Sequence, residues 1–298
     1  VVLFLLVILN FWYSGNLRLI SQLLKSPRLQ IFTIVLVAIL LDAIPFTLIG
    51  AVVSGSIEVF VSKEKLHKAF PENRFLSSIT PPFLGILLPV CSCGRVVLAR
   101  RLLKKGIPLS SGLTYMLAAP IVNPITILST FIAFSYSLGI VIGRILLALI
   151  SAFIASLILS SKNDVLLKDE EEEHNNHHFR LSKLEHAFYH AESDFLLMGR
   201  YLILGALAAA IFQTFIPRQV FLSLAENKVF CVLSMQILGI LLSLCSFADA
   251  FVASSFIHLP SFPKIVFMVA GPMINIAGCI LYFGTFKKSF VLKLIFIL

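Results

Sequence analysis

Long, nearly uninterrupted apolar runs, separated by short polar loops, constrain this chain more than any other feature. Residues 31–61, 75–105, 107–134, 138–159, 195–216, 229–257 and 262–286 each have the length a helix needs to cross about 30 Å of hydrocarbon. No water reaches the backbone there, so a spanning segment must close its own hydrogen bonds, as only helices and closed barrels do. A barrel would read as alternating segments of about ten residues, whereas these runs are continuous. The composition agrees: 58% of residues are hydrophobic and 13% charged, with a mean hydropathy of +0.97. Soluble domains carry about a quarter charged residues. The expected fold class is an all-α integral membrane protein of roughly eight membrane segments. Residues 1–13 and 290–298 are too short to span alone, and the first run is expected to be the truncated end of a helix.

A net charge of +9 could suggest nucleic acid, but the basic residues sit in short loops between apolar runs rather than along one face. Membrane topology explains them, because Lys and Arg are retained on the cytoplasmic side. Arg144, near the start of its run, is expected to snorkel to the interface. The five cysteines lie in apolar surroundings, and an odd number argues against a disulfide framework. Cys231 and Cys279 read as small packing residues. The expected setting is the plasma (inner) membrane, as a multi-pass protein whose partners are the bilayer and a small-molecule solute, without nucleic acid. Oligomeric state is open.

Residues 89–124 concentrate the polar groups. Pro89-Val90-Cys91-Ser92-Cys93-Gly94-Arg95 opens the stretch, Arg100-Arg101-Leu102-Leu103-Lys104-Lys105 follows, and Pro120-Ile121-Val122-Asn123-Pro124 closes it. In a bilayer, thiols, charges and breaks in the helix ladder are tolerated mainly where protein or a wet cavity surrounds them, which makes this a candidate site. A second set reads Cys245-Ser246-Phe247-Ala248-Asp249-Ala250, followed by Gly271-Pro272-Met273-Ile274-Asn275. These four motifs, in this order, resemble the predicted permease family that includes YraQ and the organoarsenical efflux permease ArsP. The resemblance implies a transporter. It departs from the family's pattern at Asn275 and Ala277, where members commonly have aspartate and lysine, and at Arg95, where an uncharged residue is usual. Proton coupling through an acid at 275 is therefore not expected, and Asp42 and Asp249 are the candidate titratable groups.

The halves also match each other. Leu48-Ile49-Gly50-Ala51 pairs with Ile203-Leu204-Gly205-Ala206, Cys91-Ser92 with Cys245-Ser246, and Ala119-Pro120 and Asn123 with Gly271-Pro272 and Asn275, at nearly constant offset. Such duplication marks many secondary transporters. If the Cys-Ser segments cross the membrane the repeats are parallel; if they enter and return as hairpins the repeats are inverted. Hairpins place the loops at 62–74 and 100–105 on one face with Lys287, Lys288 and Lys293, which the positive-inside rule favours. The expected organisation is a truncated helix and loop over 1–30, a first repeat over 31–160, an acidic and His-rich mobile linker over 161–194, and a second repeat over 195–298.

Cys91 and Cys93, one residue apart beside Gly94, can point both sulfurs at one soft ligand in an unwound segment; on a regular helix they diverge. The alternative is close packing at a hairpin tip. The helix breaks are expected at Gly94, Pro120, Pro124, Gly271 and Pro272. The expected solute contacts are Cys91, Ser92, Cys93, Asn123, Cys245, Ser246 and Asn275. Asp42, Arg95 and Asp249 are coupling or charge-pair candidates, and Arg95 and Asp249, each four residues after its cysteine, are expected to pair; otherwise Asp249 caps a half-helix. No four-ligand zinc set is present, and three histidines beside a polyacidic run make an unspecific metal site, so neither metal nor other cofactor is expected. The function implied is export of a small soft or thiol-reactive solute, such as a trivalent organoarsenical. The alternative is a membrane-embedded thiol oxidoreductase, against which stands the lack of a Cys-x-x-Cys pair within the spans.

Overall fold

The computed structural model of the chain describes residues 27–60, 81–87, 94–160, 183–215 and 228–298. Among them the elements are α1 (Pro27–Phe60), a 3-10 turn (Pro81–Phe83) leading into α2 (Leu84–Leu87), α3 (Gly94–Lys104), α4 (Leu109–Ala118), α5 (Pro124–Ala133) and α6 (Leu138–Leu159). There follow α7 (Lys183–Phe215), α8 (Lys228–Leu242), α9 (Ala248–Ser255), α10 (Ser261–Met273), α11 (Ile276–Thr285) and α12 (Lys288–Ile297). Four stretches among these residues are long and apolar enough to cross a membrane: Arg28–Phe60, Leu138–Leu159, Leu184–Phe215 and Ser261–Thr285. The last is α10 and α11 end to end.

Several helices are half-length. α4, α5 and α11 have 10 residues each and α10 has 13. At 1.5 Å per residue a ten-residue helix reaches about 15 Å, half of the hydrocarbon thickness. The prolines explain where two of the breaks fall. Pro120 and Pro124 interrupt the ladder between α4 and α5, and Pro272 interrupts it between α10 and α11, because proline has no N–H to donate. α8 ends differently. Ser243 takes a left-handed conformation, φ 47°, which stops the helix without a glycine or proline.

Side-chain patterning orients the bundle. On α6, Leu138, Ile142, Leu146, Ile150, Ile154 and Ile158 are exposed at every fourth position, while Arg144, Ala148, Ala152 and Ala155 are buried on another face. The exposed stripe suits lipid and the alanine stripe lets helices approach. α3 is buried almost all round, from Gly94 to Arg100. It packs between α1 and α4, and α1 packs along α7. The main core joins α3 and α4 to α6 from Ala148 to Leu159, to Met198 of α7, and to α10, α11 and α12. A second cluster joins Cys231, Met235, Leu238 and Leu242 of α8 to Ala250 and Ala253 of α9 and to Phe267 and Met268 of α10. Phe134 and Ile140, at the turn between α5 and α6, and Phe256 and Leu259, between α9 and α10, lie against this same cluster. α8 therefore lies along α10 with Gly239 against Phe267 and Gly271.

At the opposite end an ion network ties α1, α3 and α7. Arg101 Nε donates to Asp194 Oδ2 at 2.6 Å, and its Nη1 lies 3.4 Å from Glu58. Ser54 donates to the same Asp194 oxygen at 2.8 Å. Lys105 Nζ donates to the carbonyls of Ile57 and Glu58, both at 2.8 Å, near the end of α1. The linker expected over 161–194 enters the described residues at Lys183, where it is already α7.

A junction of broken helices as the candidate functional site

Where the ladder stops, carbonyls and amides lose their helical partners, and the side chains that take them over define the site. Pro120 leaves the Met116 carbonyl without its donor, and Pro124 leaves that of Pro120. Thr126 Oγ1 donates to Pro120 O at 2.8 Å. A hydroxyl has one proton, so in the 3.1 Å pair between Thr126 and Ser246 the serine is the donor. Asn123 caps α5, its Oδ1 accepting from Ile125 N–H at 2.9 Å. Asn275 caps α11 by accepting from Gly278 N–H at 2.5 Å, and its Nδ2 donates to Gly271 O at 3.1 Å. Ser243 Oγ accepts from Ile276 N–H at 3.2 Å. The segment 243–247 thus touches the first turns of both α5 and α11, and α9 begins at its end. Three helix N-termini, each with partial positive charge, border segment 243–247.

Two buried arginines frame this junction. Arg95, 1% exposed, donates through Nη1 to Met116 O at 2.6 Å and Leu117 O at 3.4 Å, at the end of α4. Its Nη2 donates to the carbonyls of Pro272 and, at 3.2 Å, Met273 at the end of α10, and to Tyr282 Oη at 2.8 Å. Arg144, also 1% exposed, donates through Nη1 to Thr130 Oγ1 at 2.7 Å. Its Nη2 reaches Ser246 O at 2.8 Å and Met268 O at 3.1 Å, the carbonyl that Pro272 orphans. The same nitrogen stands 2.9 and 2.8 Å from the two carboxylate oxygens of Asp249.

Two expectations are corrected by this geometry. Arg95 and Asp249 do not pair: Arg95 is held by carbonyls on one side of the junction, and Asp249, 1% exposed, is held by Arg144 on the other. Nor does Arg144 snorkel, since its carbon stem would have to leave the alanine face of α6 to do so. Among the expected solute contacts, Ser246 meets Thr126, three residues after the Asn123 cap, and Ser243, two residues before Cys245, meets Ile276, next to the Asn275 cap; Cys91, Ser92 and Cys93 lie outside the described residues, immediately before Gly94 in sequence. Asp42 lies on α1, with its side chain outside the described set. Cys231 is buried against α10, and Cys279 packs on the main core. Sequence reasoning missed Ser243, Thr126 and Tyr282, and missed Arg144 as a site residue. A cavity of ≈ 200 Å³ lies among α6, α8, α10 and the end of α12, lined by Leu147, Ser151, Val232, Gln236, Met273 and Leu298, and borders the junction at Met273.

Half-helices that end at a junction, capped by asparagines and braced by buried arginines, are a feature found in many membrane transporters. The predicted permease family ArsP_1 matches residues 28–298. The chain belongs to this family. It is 42% identical over 276 residues to the UPF0718 protein YcgR of Bacillus subtilis, covering 91% of this chain and 94% of that one. It is 33% identical over 280 residues to a Streptococcus mutans protein described as a candidate two-component membrane permease complex subunit, covering 91% and 92%. No solved structure matches. With its apolar helices, family membership makes the chain a multi-pass membrane protein and a transporter.

Proposed function

We propose that this permease moves a small soft or thiol-reactive solute, such as a trivalent organoarsenical, out of the cell across the plasma membrane by alternating access. The observation that carries the reading is the contact of segment 243–247, which contains Cys245, with the first turns of α5 through Ser246 and of α11 through Ser243, at the ends capped by Asn123 and Asn275. Cys91 and Cys93, which precede Gly94 in sequence, are the second source of thiols, the ligand type that soft species favour.

The organisation we infer is two inverted repeats. The pair α2–α3 corresponds to α8–α9, α4–α5 to α10–α11, and α6 to α12, and the caps Asn123 and Asn275 occupy matching places. α8 and α9 both pack on α10, which supports a re-entrant hairpin with 243–247 at its tip. Asp42 and Asp249 are the candidates for proton coupling. The description of the S. mutans relative supports looking for a second subunit.

Purified protein in proteoliposomes tests the reading. Methylated trivalent arsenic should be taken up in a substrate-dependent, saturable way. In cells, Cys91→Ser and Cys245→Ser should each abolish resistance while Cys279→Ser retains it. Equal resistance in all three variants would reduce the cysteines to packing groups.

A further inference from the structure

The Arg95 cage has the composition of a cation site. Among the described residues its acceptors include four main-chain carbonyls, from Met116 and Leu117 at the end of α4 and from Pro272 and Met273 at the end of α10, together with the Tyr282 hydroxyl. Helix C-termini carry about −0.5 elementary charge each, so two of them facing one point supply roughly the charge that a monovalent cation neutralises. Pro120 sharpens one end by leaving Met116 O without an amide partner. At the other end the Ile276 N–H, four residues beyond Pro272, is diverted to Ser243 Oγ. The Tyr282 ring also lies with its centroid 6.0 Å from the guanidinium carbon. Broken-helix transporters hold coupling cations at such half-helix C-termini.

We infer that the two carbonyl ends form a monovalent-cation site which this chain fills with its own guanidinium, so that Arg95 is a tethered resident ion bridging α4 and α10. The inference stands on the cage geometry and deepens the transporter reading without needing a substrate. The cage holds the two half-helix ends together through charge. Removing the charge leaves converging carbonyls that a free cation of the same shape can occupy.

Thermal melting of the detergent-solubilised full chain reads this without any transport assay. Arg95→Ala is expected to lower Tm by about 5 °C or more. Millimolar guanidinium chloride should recover much of that loss in the variant and leave the parent unmoved, and sodium chloride at equal ionic strength should not match it. Guanidinium acting alike on parent and variant, or on neither, overturns the inference. Should Arg95→Ala fail to assemble, Arg95→Lys is compared with Arg95→Gln, two chains of similar reach that differ in charge. The lysine variant is expected to melt above the glutamine variant, and equal or reversed values overturn the inference. A missing arsenical flux would sink the proposed substrate while leaving these melting results intact.

Discussion

At the scale of residues, the chain places its charges where proline has undone the backbone. Arg144 takes the carbonyl orphaned by Pro272 and holds Asp249 at the same time, so one guanidinium serves α5, α9 and α10. Breaking a buried pair by removing one partner costs about 3–5 kcal/mol, because the remaining charge is left uncompensated. Asp249→Ala should therefore destabilise the protein by that order, measurable as a loss of assembled protein and a lowered melting transition in detergent. Arg144→Lys should also be damaging, since a compact ammonium cannot reproduce the planar fork. The exchange Arg144→Asp with Asp249→Arg should recover more than Arg95→Asp with Asp249→Arg does; the reverse ranking would argue against the pairing. The role of Arg144 was legible only in part. A lone arginine six residues into an apolar run reads as a snorkelling side chain, yet its register with Ala148, Ala152 and Ala155, away from the isoleucine stripe, marks the buried face. The breaks at Pro120, Pro124 and Pro272 were legible because a missing N–H is a property of the residue itself; Asn123 and Asn275, read from sequence as solute contacts, are helix caps in the structure, and that role was not read from the sequence. Partners such as Tyr282 for Arg95 were not, since nothing in sequence spacing brings them together.

Among the described elements, some breaks are announced by the sequence and others are hidden in it. Pro120, Pro124 and Pro272 announce theirs. The stop at Ser243 has no glycine or proline, and only the match of Cys245-Ser246 with Cys91-Ser92 points to it. A close helix approach is equally silent. Gly239 of α8 sits against α10 so tightly that a Cβ added there would meet Phe267 O at 2.7 Å, whereas nothing lies within 4 Å of one added at Gly199 on α7. Overpacking costs about 1–3 kcal/mol where side chains can yield, and more where backbone blocks the way. Gly239→Val should thus separate α8 from α10 and reduce the folded yield, while Gly199→Val should be tolerated. Comparing the monodisperse fraction of the two variants by size-exclusion chromatography checks this, and equal yields would contradict the packing. Since both substitutions introduce the same β-branched residue into a helix, propensity is matched and the difference reports contact alone.

For the whole molecule the question is which ends share a membrane face. Gly106 follows α3 beside Lys105, whose ammonium holds the end of α1, and Arg101 of the same helix is tied to Asp194 of α7. These contacts place the end of α1, the end of α3 and the early part of α7 together. The turn after α5 and the turn between α9 and α10 meet at the other end, against the second cluster. α8 packs along α10, so a hairpin puts Lys228, at the start of α8, on the same face as His258, whereas a full crossing puts them on opposite faces. On the inverted-repeat reading the basic residues set the orientation: Arg101, Lys104 and Lys105 beside Gly106, and Lys287 and Lys288 before and at the start of α12, would mark the cytoplasmic face. Cysteines introduced at Lys228 and at His258 should both react with a membrane-impermeant maleimide from outside the cell, and a cysteine at Gly106 only in inside-out vesicles. Opposite labelling of positions 228 and 258 would require α8–α9 to cross, would make the repeats parallel, and would remove the mid-membrane tip on which the proposed site depends.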